Sequence, residues 1–425
     1  MLHRSIGLLR HPGKAAFVMC LALVLGCPAI VWPARADDPP AWTALSDLPF
    51  IPIPEVGTDP NSGTTLGLLP VFLTTDADHQ VRRVIAPDII RSSDFGFGAR
   101  GRIFDYPSED TQWYGVIGAK QRVERELDAL YSTGLTRQGD WSASTRIVYD
   151  RSGSARFFGL GNRTSLDAQT NYTNEQAYVE AQIGFNLSHA WQLAYIARPR
   201  LVEVEPGSLH GVTSIEQSFP RLRGLDTTHE LFNRFQVSYD TRDSLTVPRH
   251  GLQLVGLVGI SDRSLASSTS YTVASVDFRS YSPIGEKTTL ALHTALRYMP
   301  TGGSEAPFWA LSSLGGDRSV IGEQQPLRGY GEDRFVDRNL FAASVELRRE
   351  VLSLRLFSTD LILELAPFID TGQVFSRLGD NPVNHLHAVG GMGFRAVASP
   401  FLVGYVDVGY GSEGTAVFSG ISYPF

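Results

Sequence analysis

Polar and apolar side chains alternate in many short segments of this 425-residue chain. Such a period of two is that of a β-strand, whose successive side chains point to opposite faces. The pattern recurs in residues 176–185, 343–348 and 361–370, so we predict many strands, each with one wet and one apolar face. In the segment 234–241 the two faces carry Arg234, Gln236, Ser238 and Asp240 against Phe235, Val237 and Tyr239.

The first 36 residues have the pattern of a secretory signal. An apolar run from 15 to about 27 follows the cationic Arg4, Arg10 and Lys14 and precedes the small-x-small site Ala34-Arg35-Ala36. The run is shorter than the ~20 apolar residues that a membrane-spanning helix needs. We predict residues 1–36 to be a removed signal peptide. Acylation at Cys27 stays open as an alternative.

Composition excludes several classes of site. The only two cysteines are Cys20 and Cys27, so the chain after residue 36 can form neither a disulfide nor a cysteine-ligated metal site. That part carries 33 Lys and Arg against 44 Asp and Glu, a net charge of −11. An acidic chain without a basic tract is not expected to bind nucleic acid.

Two classes of all-β protein fit an exported chain in which no apolar stretch after residue 36 approaches 18 residues: a secreted sandwich and an outer-membrane barrel. Both alternate, but charged side chains in the middle of strands suit a water-filled lumen. Aromatic residues near strand ends suit the interfacial girdle of a membrane barrel. The sequence therefore favours a transmembrane antiparallel β-barrel. The aromatic residues are Trp113, Tyr114, Phe157, Phe158, Tyr281, Tyr298, Phe308 and Trp309.

Spacing predicts the size of the barrel. At about 22 residues for a strand and its connection, residues 63–425 hold about 16 strands, with 14 or 18 possible. Residues 37–62 are rich in proline and are predicted to form an extended lead-in. We place the first strand at 64–72, which contains Pro70, and the last beside Pro424. Prolines at these two strands would weaken the seam where they meet, unless they lie outside the paired zone.

Several motifs occur in an order typical of one family. Together they resemble the surface-antigen superfamily of outer-membrane assembly and secretion barrels, the BamA/TamA and two-partner secretion group. The motifs are Phe157-Phe158-Gly159-Leu160-Gly161-Asn162; Tyr239-Asp240-Thr241-Arg242-Asp243 with Pro248 and Gly251; Gly315-Gly316 before Leu327-Arg328-Gly329-Tyr330; Glu346-Leu347-Arg348; Phe368-Ile369-Asp370-Thr371-Gly372; and Gly420, Tyr423 and Phe425.

The resemblance implies a long loop folded into the lumen, with Leu327, Arg328, Gly329 and Tyr330 as its latch. By the same resemblance, Arg328 would pair with Asp370 first and with Glu346 second. Alternation independently places Glu346 and Asp370 on the polar faces of their strands. The alternative is that Arg328 lies in an exposed loop and contacts only solvent.

Expectations about biology also come from the resemblance. It implies the outer membrane of a Gram-negative bacterium, contact with outer-membrane lipid, and a terminal signal at Gly420, Tyr423 and Phe425 that barrel-assembly machinery reads during biogenesis. The barrel would assist insertion or transport of proteins or lipids, with a client polypeptide or a separate periplasmic partner. We expect a barrel-only member without the periplasmic POTRA domains of better-known relatives. A passive porin-like solute channel is the alternative function.

Catalysis is not expected. The chain has no Gly-x-Ser-x-Gly elbow, and His293 lacks a serine and an acid at recognisable spacing, so we interpret it as a lumen residue. His385 and His387 have no further ligands at metal-site spacing. We therefore predict no catalytic residue, no metal and no cofactor.

Overall fold

The fold was analysed in a computed structural model, which describes residues 51–425 except 62, 77–80, 301–304, 357–358, 382 and 399–401. The predicted signal peptide and its two cysteines lie outside the described residues. Among the helices of the described part, none is long and apolar enough to cross a membrane.

Strands dominate the described residues. One short α-helix, α1 (Ile215–Ser218), and three 3₁₀ turns (Leu166–Ala168, Arg263–Leu265 and Phe308–Ala310) lie in connections between strands. The strands are β1 (Ile51–Asp59), β2 (Gly63–Thr75), β3 (Val81–Ile85), β4 (Asp88–Ser92), β5 (Gly96–Ser108), β6 (Thr111–Lys120), β7 (Arg125–Thr133), β8 (Trp141–Ser152), β9 (Arg156–Phe157), β10 (Thr170–Asn186), β11 (Trp191–Pro206), β12 (Thr228–Asp240), β13 (Gly251–Ser261), β14 (Tyr271–Pro283), β15 (Thr288–Tyr298), β16 (Ser312–Leu314), β17 (Phe335–Asp337), β18 (Asn339–Leu356), β19 (Thr359–Phe375), β20 (His387–Ala398), β21 (Leu402–Gly411) and β22 (Gly414–Ile421).

The described strands form a closed antiparallel barrel of 18 strands. Each pairs with its neighbour in sequence, and β3 and β4 together form one broken strand between β2 and β5. The barrel closes where β1 meets β22. The prediction of a membrane barrel is confirmed, and the count is the upper value of the predicted range.

The barrel has one rim of short turns and one rim of longer loops. Because the strand number is even, β1 begins and β22 ends at the same rim, which also carries tight turns such as the one between β5 and β6. The long connections, including those from β8 to β10 and from β15 to β18, lie at the other rim. Outer-membrane barrels carry short turns on the periplasmic side and longer loops outside. The rim with the two described ends is therefore periplasmic.

Alternation sorts side chains between lipid and lumen. On β12, Phe235 and Val237 are 60% and 45% exposed on the outside, whereas Arg234 and Ser238 are buried inside. The same division holds along β10 and β18. An apolar outer surface with a polar interior is the pattern a membrane barrel needs, because lipid offers no partner for a polar group.

The predicted girdle is correct in part, since Trp113 lies opposite exposed Tyr131 and Tyr298 lies beside outward Phe235 and Val237. Phe157, Phe158, Tyr281 and Phe308 are buried in the interior or in loop packing. Near the periplasmic rim, outward rings pair across neighbouring strands instead. These pairs are Trp141 with Phe185, at 5.0 Å between ring centroids, and Trp191 with Tyr239, at 4.8 Å.

The start of the barrel corrects two predictions. Ile51–Asp59, placed by the sequence in the lead-in of 37–62, forms β1 and pairs with β2 along its whole length. Residues 64–72 therefore belong to the second strand, not the first, and Pro70 faces Pro52 of β1 rather than the seam. Prolines disfavour strands paired on both sides and are tolerated where pairing is incomplete. The prolines of this segment therefore predict a lead-in, although the segment forms the strand next to the seam.

A long connection from β15 to β18, residues 299–338, enters the barrel interior and is called the lumen loop here. It contains the 3₁₀ turn Phe308–Ala310 and the small hairpin of β16 and β17. Its inner part packs with wall residues in a buried cluster that includes Leu327, Tyr330, Leu340 and Phe368. The loop thus provides the interior with a core that the wall alone does not have.

Candidate functional site: the lumen loop and its anchors

Arg328 is completely buried inside the barrel and contacts three carboxylates. Its Nε and Nη2 donate to the two oxygens of Asp370 on β19, each at 2.8 Å. Its Nη1 donates to Glu346 on β18 at 2.8 Å and to Asp407 on β21 at 2.9 Å. The structure therefore brings together the arginine and both carboxylates that the sequence had placed in the latch.

Two further contacts hold Arg328, one through its guanidinium and one through its main chain. The guanidinium plane lies over the ring of Phe368, with 3.5 Å from Cζ to the ring centroid, and arginine stacks well on aromatic faces. The main-chain N–H of Arg328 also donates to Asp370, at 3.1 Å. A buried charge is tolerated only when it is paired and hydrogen-bonded. Here every nitrogen of the guanidinium has a carboxylate partner.

Asp407 and Arg395 belong to the same network and were missed by the sequence reasoning. Arg395 on β20 donates to Asp407 and, at 3.2 Å, to Glu346. The alternation of apolar and polar residues could have found both. Apolar Met392 and Phe394 face outward on β20, so the next residue, Arg395, faces inward; likewise Val406 faces outward on β21 and Asp407 inward. The signal was present, but neither residue lies in a motif that drew attention.

Two glycines allow the loop to approach the wall. A Cβ on Gly409 of β21 would lie 1.9 Å from the main-chain oxygen of Arg328. A Cβ on Gly329 would lie 2.8 Å from the main-chain nitrogen of Gly411. Real Cβ atoms do not come this close, so close backbone packing requires glycine at both positions.

Leu327 and Tyr330 complete the predicted tetrapeptide. Leu327 is fully buried, and the ring of Tyr330 packs against Phe335 at 5.4 Å between centroids. The Tyr330 hydroxyl lies 2.8 Å from the hydroxyl of Ser412, next to the end of β21. These contacts fix the loop on both sides of Arg328.

The lumen loop has a second charged contact that the sequence did not reveal. Glu323 accepts a hydrogen bond from Arg198 of β11 at 2.7 Å and lies 3.8 Å from Arg234 of β12. Burial alone would raise the pKa of Glu323, but the guanidiniums of Arg198 and Arg234 outweigh it and lower the pKa to about 2. The loop therefore presents a cation to an acidic wall and an anion to a basic one.

Outer loops cover the lumen loop through the Phe157–Asn162 motif. The Asn162 side chain donates to the main-chain oxygen of His385 at 2.7 Å, and its oxygen accepts from the main-chain N–H of Val374 at 3.0 Å. Arg334 of the lumen loop pairs with Glu413, at 2.7 Å, and with Thr164. The motif thus ties several outer loops to one another.

Tyr423 and Phe425 point inward. Phe425 is 5% exposed and its ring stacks on His293 at 5.1 Å. The guanidinium of Arg348 lies 3.7 Å from the Tyr423 ring centroid, and its Nη2 donates to the Phe425 main-chain oxygen at 3.3 Å. Gly420 pairs with Tyr405 of β21. Recognition of these residues by assembly machinery stays a prediction.

His293 faces the lumen and is 1% exposed, with Nε2 2.9 Å from Asp277. His387 is the first residue of β20, at the rim of the longer loops, and is stacked on Phe335 at 3.9 Å, with Nε2 2.8 Å from the Asn162 main-chain oxygen. Within the described ranges no group of three His, Asp or Glu side chains is arranged to hold a metal ion.

Comparison with protein families identifies the barrel. The model of the Omp85 superfamily domain matches residues 118–399, more than half of the chain and including Arg328, Glu346 and Asp370. The chain belongs to the Omp85 superfamily. A search of the curated proteins found no significant match.

One solved structure shares the fold at low identity, and two others match more weakly. BamA from Haemophilus ducreyi lacking POTRA domains 1–3 matches with a TM-score of 0.51 and 12% identity over 88% of this chain and 74% of that one. CdiB from Acinetobacter baumannii matches with a TM-score of 0.46 and 10% identity over 88% and 59%, and CdiB from Escherichia coli with 0.45 and 11% over 89% and 68%.

Family and fold together place this Omp85 barrel in the outer membrane of a Gram-negative bacterium. They support the general class of outer-membrane assembly and secretion barrels. The lumen loop with its arginine anchor is then the candidate functional element, because ion pairs to the barrel wall hold it inside the lumen.

Proposed function

We propose that this Omp85 barrel assists the entry of other polypeptides into the outer membrane, through the seam between β1 and β22. The observation that supports this proposal is the small number of paired residues at that seam. In the described residues β1 pairs with β22 at one position only, Thr58 with Val417, whereas β1 and β2 pair from Ile51 to Asp59.

Composition of β1 supports the same proposal. Pro52 and Pro54 carry no N–H, so they cannot donate hydrogen bonds to a neighbouring strand. A barrel avoids exposed edges only when it is fully paired. An incompletely paired seam leaves backbone groups that an incoming client strand could satisfy, which is the chemistry of strand addition. Arg328 serves in this proposal as a latch that keeps the lumen loop inserted and so sets the shape of the barrel.

The test is a client-folding assay with a seam that can be locked. The only native cysteines lie at 20 and 27, so the double variant Thr58→Cys with Val417→Cys introduces one defined disulfide across the seam. The protein is placed in liposomes and the folding rate of an unfolded client barrel is measured. We expect acceleration by the reduced double variant, loss of acceleration on oxidation, and recovery on reduction.

The matched control locks β1 to β2 through Thr58→Cys with Thr64→Cys, which places the disulfide on the side of β1 opposite the seam. This disulfide is expected to leave client folding unchanged. Ion conductance is recorded in the same liposomes. If the wild-type chain conducts ions freely and does not speed client folding, the assembly function is lost and the passive channel takes its place.

A further inference from the structure

Three buried arginines line one side of the lumen. Arg198 on β11, Arg234 on β12 and Arg297 on β15 are 6%, 6% and 5% exposed. Arg198 and Arg234 lie on strands away from β18, β19 and β21, which carry the acidic partners of Arg328, whereas Arg297 lies on β15, next to β18. This group is called the arginine wall below.

Together with Arg200 of β11, the arginine wall sets four guanidiniums against three carboxylates among the described residues, because Glu230 of β12 pairs with Arg200 at 3.5 Å and also attracts Arg198 and Arg297. Glu180 of β10 and Glu323 of the lumen loop pair with Arg198 and Arg234. For Arg297, the described residues include no ion-pair partner, and its Nε and Nη2 donate to the main-chain oxygens of Gly322 and Ala310, at 2.7 and 2.8 Å. Both of these acceptors belong to the lumen loop.

Donor capacity also remains unused. Nε of Arg198 and Nε of Arg234 are buried without a hydrogen-bond partner among the described residues. Buried donors of this kind are rare in native proteins, and each one calls for an explanation. The Glu323 side chain is 31% exposed, so an ion in the lumen can reach the place where its carboxylate sits.

Withdrawal of the lumen loop would remove most of the partners of this wall. Arg198, Arg234 and Arg297 would then keep only Glu180 and the carboxylate of Glu230, which they share with Arg200, as nearby anions among the described residues. An uncompensated buried charge is strongly unfavourable. Guanidinium groups match the oxygens of phosphate with two parallel hydrogen bonds. We propose that the arginine wall is a binding site for a phosphate-type oxyanion, and that the carboxylate of Glu323 occupies this site while the lumen loop is inserted.

A competing oxyanion acts on the loop as well as on the wall. A ligand that binds only after Glu323 has left shifts the population towards the withdrawn loop by its difference in affinity for the two states. The acidic anchor of Arg328 resists this shift. Phosphate and the Arg328 anchor thus act in opposite directions on the same loop.

Binding is measured with inorganic pyrophosphate by titration calorimetry on the protein in neutral detergent, at constant ionic strength because salt screens charges. Glu323→Gln removes the internal competitor and is expected to bind pyrophosphate about tenfold more tightly than wild type, a typical size for coupling between two ligands. Arg234→Gln is expected to bind about tenfold more weakly.

Arg146→Gln is the matched control, because Arg146 of β8 is held by Asp128 at 2.9 and 2.6 Å and does not contact the lumen loop. Equal weakening in Arg146→Gln and Arg234→Gln would overturn the proposal. Unchanged affinity for pyrophosphate in Glu323→Gln would also overturn the proposal. This variant leaves the arginine wall intact, so the test remains valid if Arg234→Gln misfolds.

The source of the phosphate group is distinguished by labelling. Val320 of the lumen loop is 38% exposed. In a chain expressed without residues 1–36, which contain both native cysteines, Val320→Cys provides a single thiol whose maleimide labelling rate reports loop withdrawal. Faster labelling with pyrophosphate in detergent identifies a free phosphate, and faster labelling in phosphatidylglycerol vesicles than in phosphatidylcholine vesicles identifies a lipid headgroup. No change in either arm contradicts the proposal. Client folding enters none of these readouts, so the result is independent of the proposed assembly function.

Discussion

At the scale of single residues, the anchor is a balanced charge cluster. Three carboxylates, Glu346, Asp370 and Asp407, face three arginines, since Arg348 donates to Glu346 at 3.0 Å alongside Arg328 and Arg395. A buried ion pair offers little net stability compared with apolar packing, but removing one partner leaves an unpaired charge at high cost. The cluster therefore serves to define one position for the loop.

Removal of the Arg328 charge is predicted to destabilise the barrel strongly. In Arg328→Met three buried carboxylates share two arginines, and we expect a loss of about 3–5 kcal/mol in the free energy of unfolding. Urea unfolding in detergent micelles measures the loss. The control Arg263→Gln breaks an exposed pair with Glu305 and is expected to cost less than about 1 kcal/mol. Similar losses in both variants would contradict the buried-cluster account.

A positive charge without the guanidinium geometry is predicted to be insufficient for full stability at position 328. Arg328→Lys keeps the positive charge but cannot reproduce the two bonds to Asp370 together with those to Glu346 and Asp407. We expect this variant to lose about 2 kcal/mol of unfolding free energy, less than Arg328→Met loses. The same unfolding series measures both, and a fully stable lysine variant would show that geometry is unimportant here.

Sequence could predict the anchor only in part. The tetrapeptide around Arg328 and the inward positions of Glu346 and Asp370 follow from motif and alternation. Glu323 could not be found, because a loop residue has no periodicity to indicate its surroundings. Its partners Arg198 and Arg234 lie more than 80 positions away in the chain, and only the folded barrel brings them together.

At the scale of elements, the lumen loop depends on close contact with β21. Gly409→Ala would place a Cβ against the main-chain oxygen of Arg328, so the loop must shift away from its three carboxylates. We expect a lower midpoint of thermal unfolding, measured by circular dichroism. Gly390→Ala on β20 is the control, since its Cβ would meet nothing within 4 Å. Equal melting of the two variants would refute the close-contact argument.

The second anchor of the loop is predicted to withstand mild acid. Burial raises the pKa of Glu323, but the guanidiniums of Arg198 and Arg234 outweigh burial and lower the folded-state pKa to about 2, from 4.5 for an exposed glutamate. A depressed carboxyl pKa contributes stability that is complete above about pH 4.5 and is lost as the pH falls towards 2. The stability difference between wild type and Glu323→Gln should therefore stay constant from pH 7 to about 5 and shrink below it. A difference that already shrinks near pH 6 would contradict this assignment.

At the scale of the whole molecule, alternation predicted the architecture better than it predicted the ends. Each strand can be predicted from its own segment, because lipid and lumen require apolar and polar side chains at alternating positions. The seam depends on which strands meet after some 360 residues of chain. Strand propensity does not predict β1, because Pro52 and Pro54 are unfavourable in a fully paired strand. Closure is a property of the barrel rather than of any segment.

Uneven pairing around the barrel predicts uneven protection of its amides. Amides of β1 and β22 that face the seam have a partner strand only near Thr58 and Val417, whereas β18 and β19 pair along most of their length and also hold the buried anchor. Backbone groups exchange fastest where local opening costs least. Hydrogen exchange followed by mass spectrometry should show peptides from 51–59 and 414–421 exchanging well before those from 339–349 and 361–375. Equal protection of the two regions would mean that the seam is as firmly closed as the wall, and strand addition at that seam would then lack its physical basis.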